Sequence, residues 1–174
     1  MAILRKSKCY RRLKRAYTRK SKYKKKGFIK VIPPIKIIRW DMGNPAGKFT
    51  HRVDLISKDD AQIRQNSIES GRLAGNRRLE GKLTKPFYFL KLRVYPHQIL
   101  RENKMLTGAG ADRMQTGMSH AFGRPTGIAA QMRKGQVLFT VFVNKEGIPI
   151  AKEALEVMRP RLSGHWKVEI SENK

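Results

Sequence analysis

The chain has 174 residues, of which 40% are hydrophobic, and a formal net charge of +26. These values allow one modest hydrophobic core and exclude a wholly disordered chain. There is no apolar run of about 18 residues and no secretory signal, so we expect no membrane association and a cytoplasmic location. Cys9 is the only cysteine, which excludes an internal disulfide and a zinc site built from paired cysteines.

The N-terminal segment is strongly basic, because the first 26 residues carry thirteen Lys or Arg and no acid. Like charges repel, so such a segment packs closely only against a polyanion, and nucleic acid is the commonest one in a cell. The apolar positions of residues 1–27 follow neither a helical nor a strand period, so we expect an extended tail that becomes ordered on binding. Interleaved tyrosine rings can stack on unpaired bases, worth about 1 to 3 kcal/mol each. The predicted RNA contacts of the tail are Arg5, Lys6, Lys8, Tyr10, Arg11, Arg12, Lys14, Arg15, Tyr17, Arg19, Lys22, Tyr23, Lys24 and Lys25.

Other interpretations of the tail are a nuclear-targeting or solubilising run, or an organelle transit peptide. The last fits less well, because transit peptides are usually rich in serine.

Residues 28–174 are predicted to form a single domain. Two β-branched runs, 29–32 and 35–40, predict strands separated by a pair of prolines that interrupts pairing. Residues 43–47 contain two glycines and a proline and predict a turn. A further strand is predicted over 50–56.

A long helix is predicted over 58–79. Ser57 followed by Asp60 resembles a helix start, with a hydroxyl and then a carboxylate three residues later. One face of this helix has small residues, including Gly71 and Gly75, which permit close approach to a sheet or to a phosphate backbone. The other face is expected to offer cations to solvent or RNA, namely Arg64, Arg72, Arg77 and Arg78, of which the first three are predicted rRNA contacts.

The second half of the domain alternates strands with one helix. In 86–94, every second residue from Tyr88 to Val94 is apolar and predicts a strand with one core face. Residues 136–143 form the most hydrophobic strand, which we expect at the centre of the sheet. Pro149 can occupy the first turn of a helix that ends before Pro160, and 165–170 predicts a last strand. The pattern predicts the α+β class: a mixed β-sheet with two helices plus an extended basic tail.

A long polar loop, 103–127, interrupts this domain, and Asp112 is its only acid. Loops of this length are usually functional or disordered. Its glycines let the backbone approach a ligand closely, while Arg113 and Arg124 can contact phosphates and Gln115 can hydrogen-bond bases or sugars. A mobile solvated loop and an interface for another protein, such as an assembly factor, are the alternatives.

Three runs in this loop, 103–106, 110–118 and 121–125 with Gly127, resemble the central segment of a family of large-subunit ribosomal proteins. The family is called L-ten-e in archaea and eukaryotes and is the counterpart of bacterial L-sixteen. Further similarity follows in the same order along the chain: Cys9-Tyr10-Arg11 with its basic run, Leu92-Arg93-Val94 with Pro96-His97, and Gly135-Gln136-Val137.

The resemblance implies an α/β-hammerhead-like core bound to large-subunit rRNA beside the aminoacyl-tRNA site. It also implies a loop that reaches toward the peptidyl transferase centre and supports tRNA accommodation and late subunit assembly. The implied partners are large-subunit rRNA, aminoacyl-site tRNA, neighbouring ribosomal proteins and late assembly factors. The implied loop residues are Lys104, Met105, Leu106, Thr107, Gly108, Gly110, Asp112, Arg113, Met114, Gln115, Thr116, Gly117 and Met118. The chain departs from eukaryotic members at Thr107-Gly108 and Ser119-His120.

Enzymatic and cofactor chemistry find little support in the sequence. Gly108-Ala109-Gly110 lacks the remaining features of a nucleotide-binding loop, so no cofactor is expected. The four histidines lack paired ligand spacing, so no metal site is expected. Glu102 and Asp112 could form an acid pair, but neighbouring cations favour local salt bridges. No nucleophile, base and orienting group can be named together, so we expect no catalysis. A duplex DNA binder and an RNA-modifying enzyme remain the rival classes.

Overall fold

The computed structural model describes residues 5–13, 29, 31–103 and 123–173. It confirms the α+β class, with two helices and eight strands in the described part of the chain. The strands are β1 (Asp41–Gly43), β2 (His51–Ser57), β3 (Ala61–Arg64), β4 (Tyr88–Leu92), β5 (Gln98–Glu102), β6 (Arg124–Met132), β7 (Val137–Val143) and β8 (Trp166–Glu172). The helices are α1 (Gln65–Lys82) and α2 (Ile148–Met158). The predicted boundary at residues 27 and 28 lies outside the described residues.

The larger sheet has five strands in the order β1-β4-β7-β2-β8. β7 lies at its centre, as its hydrophobic sequence predicted, and pairs antiparallel with both β2 and β4. Val141 stands opposite Val53 on one side and Leu90 on the other, and all three side chains are completely buried. Alternation in β4 also follows the prediction, with Tyr88, Leu90 and Leu92 buried.

The smaller sheet has three strands in the order β3-β6-β5. Both of its pairings are antiparallel, as are those of the larger sheet. Where the sequence predicted a mixed β-sheet, the described strands form two antiparallel sheets within the same α+β class. The register of β5 on β6 shifts between Leu100 and Arg101 and ends with Glu102 opposite Arg124. These two strands carry the base of the long loop.

The two helices pack on each other and on the larger sheet. A β-carbon added to Gly75 of α1 would lie only 1.7 Å from the Cε atom of Met158 in α2. One added to Gly71 would approach Leu162 and Phe139 at ordinary contact distances. The small face of α1 thus serves close packing inside the protein, and not approach to a phosphate backbone. α2 matches its prediction, with Pro149 in its first turn and Ala154, Leu155 and Met158 buried.

The predicted start of α1 is wrong. Residues 61–64 form β3, and the helix begins at Gln65 with no side-chain cap. The polar groups at 57–60 serve a turn instead: the Ser57 hydroxyl donates to the carbonyl of Asp59 at 2.6 Å, and Asp60 accepts from the backbone N–H of Lys134 at 2.8 Å. Of the residues that could begin a helix here, Ser57 closes a local turn and Asp60 binds Lys134, 74 positions away, which leaves the following residues free to pair with β6.

The two strands predicted in 29–40 are also wrong for the described residues, since 31–40 forms no strand. The backbone is held instead by the side chain of Gln65, whose Oε1 accepts from the Lys36 N–H at 3.0 Å and whose Nε2 donates to the Pro34 carbonyl at 3.3 Å. Ile37 is the buried apolar anchor. Neither proline can donate a hydrogen bond, so this segment cannot supply a continuous ladder.

Candidate nucleic-acid interface

The N-terminal segment 5–13 lies against the smaller sheet. The backbone N–H of Gln62 in β3 donates to the carbonyl of Arg11 at 2.8 Å, and its side-chain Nε2 donates to the carbonyl of Tyr10 at 2.9 Å. Arg64 donates through Nη1 to the carbonyl of Arg5 at 2.7 Å. These bonds use backbone acceptors of the tail, so they hold it without occupying its cationic side chains. This part of the tail therefore has protein partners of its own, beyond the RNA that was expected to order it.

Glu102, at the end of β5, holds the same segment from the other outer strand of the smaller sheet. Its carboxylate forms an ion pair with Arg5, and its Oε2 lies 3.5 Å from the Tyr10 hydroxyl. The hydrogen bond and charge of Glu102 raise the pKa of Arg5. Burial, followed by the charge of Glu102, raises the pKa of Tyr10. We call this group, Arg5, Tyr10, Arg64 and Glu102, the tail clamp. Sequence reasoning expected Glu102 to form salt bridges with cations adjacent in the sequence and missed its pairing with Arg5, which is 97 positions away.

The ring of Tyr10 was predicted to stack on RNA bases, but one of its faces contacts a side chain of the protein itself. The guanidinium of Arg64 lies over its ring, 5.5 Å from the centroid. This is cation–π geometry, worth about 0.5 to 1 kcal/mol at exposed sites. One face of the ring is thus occupied by a group of the protein itself. Base stacking on that face would require displacing Arg64.

Four predicted contacts of the tail do face solvent. Lys6, Lys8, Arg11 and Arg12 are exposed, and none has an ion-pair partner among the described residues. Their charges are therefore available to an external polyanion. The remaining predicted tail contacts lie outside the described residues: Lys14, Arg15, Tyr17, Arg19, Lys22, Tyr23, Lys24 and Lys25. All thirteen predicted loop residues, from Lys104 to Met118, lie outside them as well.

The four arginines outside the tail that were predicted to contact rRNA differ in their exposure and in their partners. Arg77 and Arg124 are exposed, whereas Arg64 belongs to the tail clamp. Arg72 is only 5% exposed, and its Nε donates to Glu69 at 2.8 Å while its Nη1 lies 3.0 Å from the sulfur of Met42. The expectation that Arg72 faces solvent or RNA is wrong, because the helix turns this position toward the larger sheet.

A cleft of about 960 Å³ adjoins the last described residue of the tail. Leu13, His97, Gln131, Arg133 and Lys134 line it together with Asp60. Arg133 and Lys134 lie at the turn between β6 and β7 and extend the exposed cationic surface beyond the tail. The sequence signal that could have found them is the Arg-Lys-Gly run between two hydrophobic strands.

A family model described as ribosomal protein L16p/L10e matches residues 15–169, which is most of the chain. The chain belongs to this family. The resemblance predicted from the loop motifs is thereby confirmed, and the match extends over both sheets and both helices.

Archaeal relatives of this family are similar over most of their length. The large ribosomal subunit protein uL16 of Methanococcus maripaludis is 42% identical over 172 residues, covering 98% of this chain and 96% of the relative. Its counterpart of the same name in Methanococcus aeolicus is 44% identical over 168 residues, covering 96% and 94%. That of Hyperthermus butylicus is 45% identical over 133 residues, covering 76% and 74%.

The L16p/L10e family is one of structural ribosomal proteins and not of enzymes. Family membership therefore excludes the two rival classes, an RNA-modifying enzyme and a duplex DNA binder. Within the described ranges, no group of three or more His, Cys, Asp or Glu side chains is placed to hold a metal ion. No helix in the same ranges is long and apolar enough to cross a membrane.

Proposed function

We propose that the chain is a structural component of the large ribosomal subunit that binds large-subunit rRNA near the aminoacyl-tRNA site. The observation that carries this proposal is the family match over residues 15–169, together with near full-length relatives named as large-subunit proteins. The net charge of +26 supports RNA as the direct partner, since a polyanion is needed to neutralise it.

The tail serves as the anchor in this proposal. The tail clamp and Gln62 fix its backbone, while Lys6, Lys8, Arg11 and Arg12 remain exposed. Pre-fixing the backbone lowers the entropy lost when these cations meet phosphates. A tail that neutralises about 6 to 10 phosphates would lose about 10³- to 10⁵-fold in affinity between 50 and 200 mM salt.

The loop 103–118 is the part proposed to reach toward the peptidyl transferase centre and to contact aminoacyl-site tRNA. The chain leaves β5 at Glu102 and enters β6 at Arg124, and these two residues stand opposite each other in the smaller sheet. Glu102 is also the residue that binds Arg5. The anchor and the base of the loop therefore share one carboxylate, which supports a rigid mount for the loop. Neighbouring ribosomal proteins and late assembly factors are further partners in this proposal, as the family resemblance implies.

One reconstitution experiment tests both parts. Large subunits lacking this protein are incubated with the full chain, with a tail variant in which Arg11, Arg12, Lys14 and Arg15 are replaced by Ala, or with a chain lacking residues 106–115. A matched control replaces four exposed lysines outside the tail, Lys48, Lys58, Lys85 and Lys145, by Ala. Subunits are then washed at high salt, sedimented and assayed for bound protein and for translation rate.

The tail variant is expected to be lost in the wash, while the control and the loop deletion stay bound. Subunits with the loop deletion are expected to accommodate tRNA slowly or to mature late. Full occupancy by the tail variant would contradict the anchor. A normal translation rate with the loop deletion would contradict the role of the loop.

A further inference from the structure

A groove of about 520 Å³ runs between α1 and the C-terminal end of α2 with the turn that follows it. We call it the α1–α2 groove, defined by Ser70, Leu73, Arg77, Arg78, Val157 and Arg161. Its volume falls within the range of about 300 to 1,000 Å³ that is typical of ligand sites. Its described lining residues belong neither to the smaller sheet nor to the tail clamp, and Arg77 is the only one of them among the rRNA contacts predicted from the sequence.

The groove combines an apolar floor with a cationic rim. Leu73 is 54% exposed and Val157 is 38% exposed, so both aliphatic side chains are accessible in the groove. Arg77, Arg78 and Arg161 surround them. No carboxylate is among the described residues that line the groove.

The three arginines of the rim differ in how many hydrogen-bond and ion-pair partners their guanidinium groups have. Arg77 has no hydrogen-bond or ion-pair partner among the described residues, and Arg161 donates only to the hydroxyl of Ser70, at 2.9 Å. Arg78 is paired with Glu153, which also accepts from Lys82 at 2.7 Å. Two guanidinium groups thus retain most of their donors, and the planar guanidinium is the side chain best suited to bind phosphate through two parallel hydrogen bonds.

The shape and chemistry favour RNA over a protein partner. A specific protein interface buries about 800 Å² on each side and centres on large anchors. Two aliphatic side chains between three arginines provide too small an apolar centre for that. A nucleotide matches the groove better, because its phosphate can meet the arginines while its sugar and base cover the aliphatic floor.

We propose that the α1–α2 groove is a second RNA-binding site, which takes an unpaired segment of rRNA. Arg77 and Arg161 bind its phosphates, and Leu73 and Val157 contact a sugar or base. This inference rests on the proposed function, since it supplies a further contact to the same RNA. It adds to the anchor surface that the tail forms with the smaller sheet.

The test compares salt dependence of binding to purified large-subunit rRNA. The full chain, the double variant Arg77→Ala with Arg161→Ala, and a control with the same loss of charge, Lys85→Ala with Lys145→Ala, are titrated between 50 and 200 mM salt. Each phosphate contact contributes about 0.7 to 0.9 to the slope of log affinity against log salt. Between 50 and 200 mM salt, the double variant should therefore lose about ten times less affinity than the full chain loses. The control variant should lose as much affinity as the full chain.

A second measurement identifies the occupant directly. A photoreactive residue is placed at position 73 or, as a control, at the exposed Ile170 of β8, and assembled subunits are irradiated. Cross-links from position 73 to rRNA support the proposal. Cross-links from position 73 only to another protein, or none at all, would overturn it, as would salt dependence equal to that of the unmodified chain. If the unmodified chain itself fails to bind rRNA, the proposed function fails and not only the groove.

Discussion

The contact between Gly75 and Met158 predicts a large and specific cost for adding one methyl group. A β-carbon built at Gly75 would lie 1.7 Å from Cε of Met158, 2.9 Å from Cγ and 3.0 Å from Sδ. Since carbon atoms pack at about 3.5 to 4.0 Å, the terminal methyl would have to move by about 1.8 Å or more. Cγ lies close to the helix backbone, so rotating the end of the side chain does not relieve its contact.

Two effects of Gly75→Ala oppose each other. Overpacking a filled core typically costs about 1 to 3 kcal/mol, and Met158 is completely buried. Alanine in a helix interior gains about 1 kcal/mol over glycine. We therefore expect Gly75→Ala to lower the free energy of unfolding by up to about 2 kcal/mol.

Gly81 of α1 provides the matched control, because a β-carbon there meets nothing within 4 Å. Gly81→Ala should be neutral or stabilising by up to about 1 kcal/mol. The difference between the two variants isolates the packing cost, about 1 to 3 kcal/mol, and is measured by urea unfolding followed by circular dichroism. In a background with Met158→Ala, the Gly75→Ala change should become as harmless as Gly81→Ala. Equal stability of the two single variants would refute the close approach of α1 and α2.

Two further predictions concern ion pairs. Arg78 and Lys82 hold the pKa of Glu153 at about 2, below its ordinary 4.5, so the carboxylate stabilises the fold above pH 4.5 and this stabilisation is lost as pH falls toward 2. Urea midpoints should therefore separate Glu153→Gln from the unmodified chain at pH 7 and converge near pH 2, whereas a constant separation would contradict the pairing. Glu102→Gln removes the ion pair between Glu102 and the exposed Arg5. Exchange of the Gln62 amide hydrogen should accelerate about 1.4- to 5-fold while that of Val53 stays constant, and an unchanged Gln62 rate would argue against the tail clamp.

Local patterns predicted those elements whose periodicity and environment agree. β4 alternates between core and surface, β7 is apolar except at Thr140 and lies at the sheet centre, and α2 shows helical spacing bounded by prolines. In β4 and α2 the buried face can be recognised from the spacing of apolar side chains alone, and in β7 the apolar run itself predicts burial. The start of α1 could not be recognised, because the side chains of Ser57 and Asp60 are suited both to capping a helix and to the turn they form.

In the candidate interface, too, some features could be predicted from local sequence patterns and others could not. The exposed cations of the tail follow from composition, but its docking site does not, since Gln62 and Glu102 lie far from it in the sequence. Arg72 was expected at the surface because the sequence pattern placed it on the cationic face of the long helix, opposite the small residues. Its partner is Glu69, one helical turn earlier, and that pairing permits burial against Met42.

The amino-acid sequence by itself determined that this protein carries a strongly cationic tail, contains an α+β domain and resembles a ribosomal protein family. These properties depend on charge, short-range periodicity and motif order, all of which are local in the chain. Only the tertiary structure decided that residues 61–64 pair with β6, that Arg72 is internal, and that Arg77 of α1 and Arg161 in the turn after α2 share one groove. Each of these depends on which distant groups come together, and the free energy of such contacts is not expressed in any local pattern.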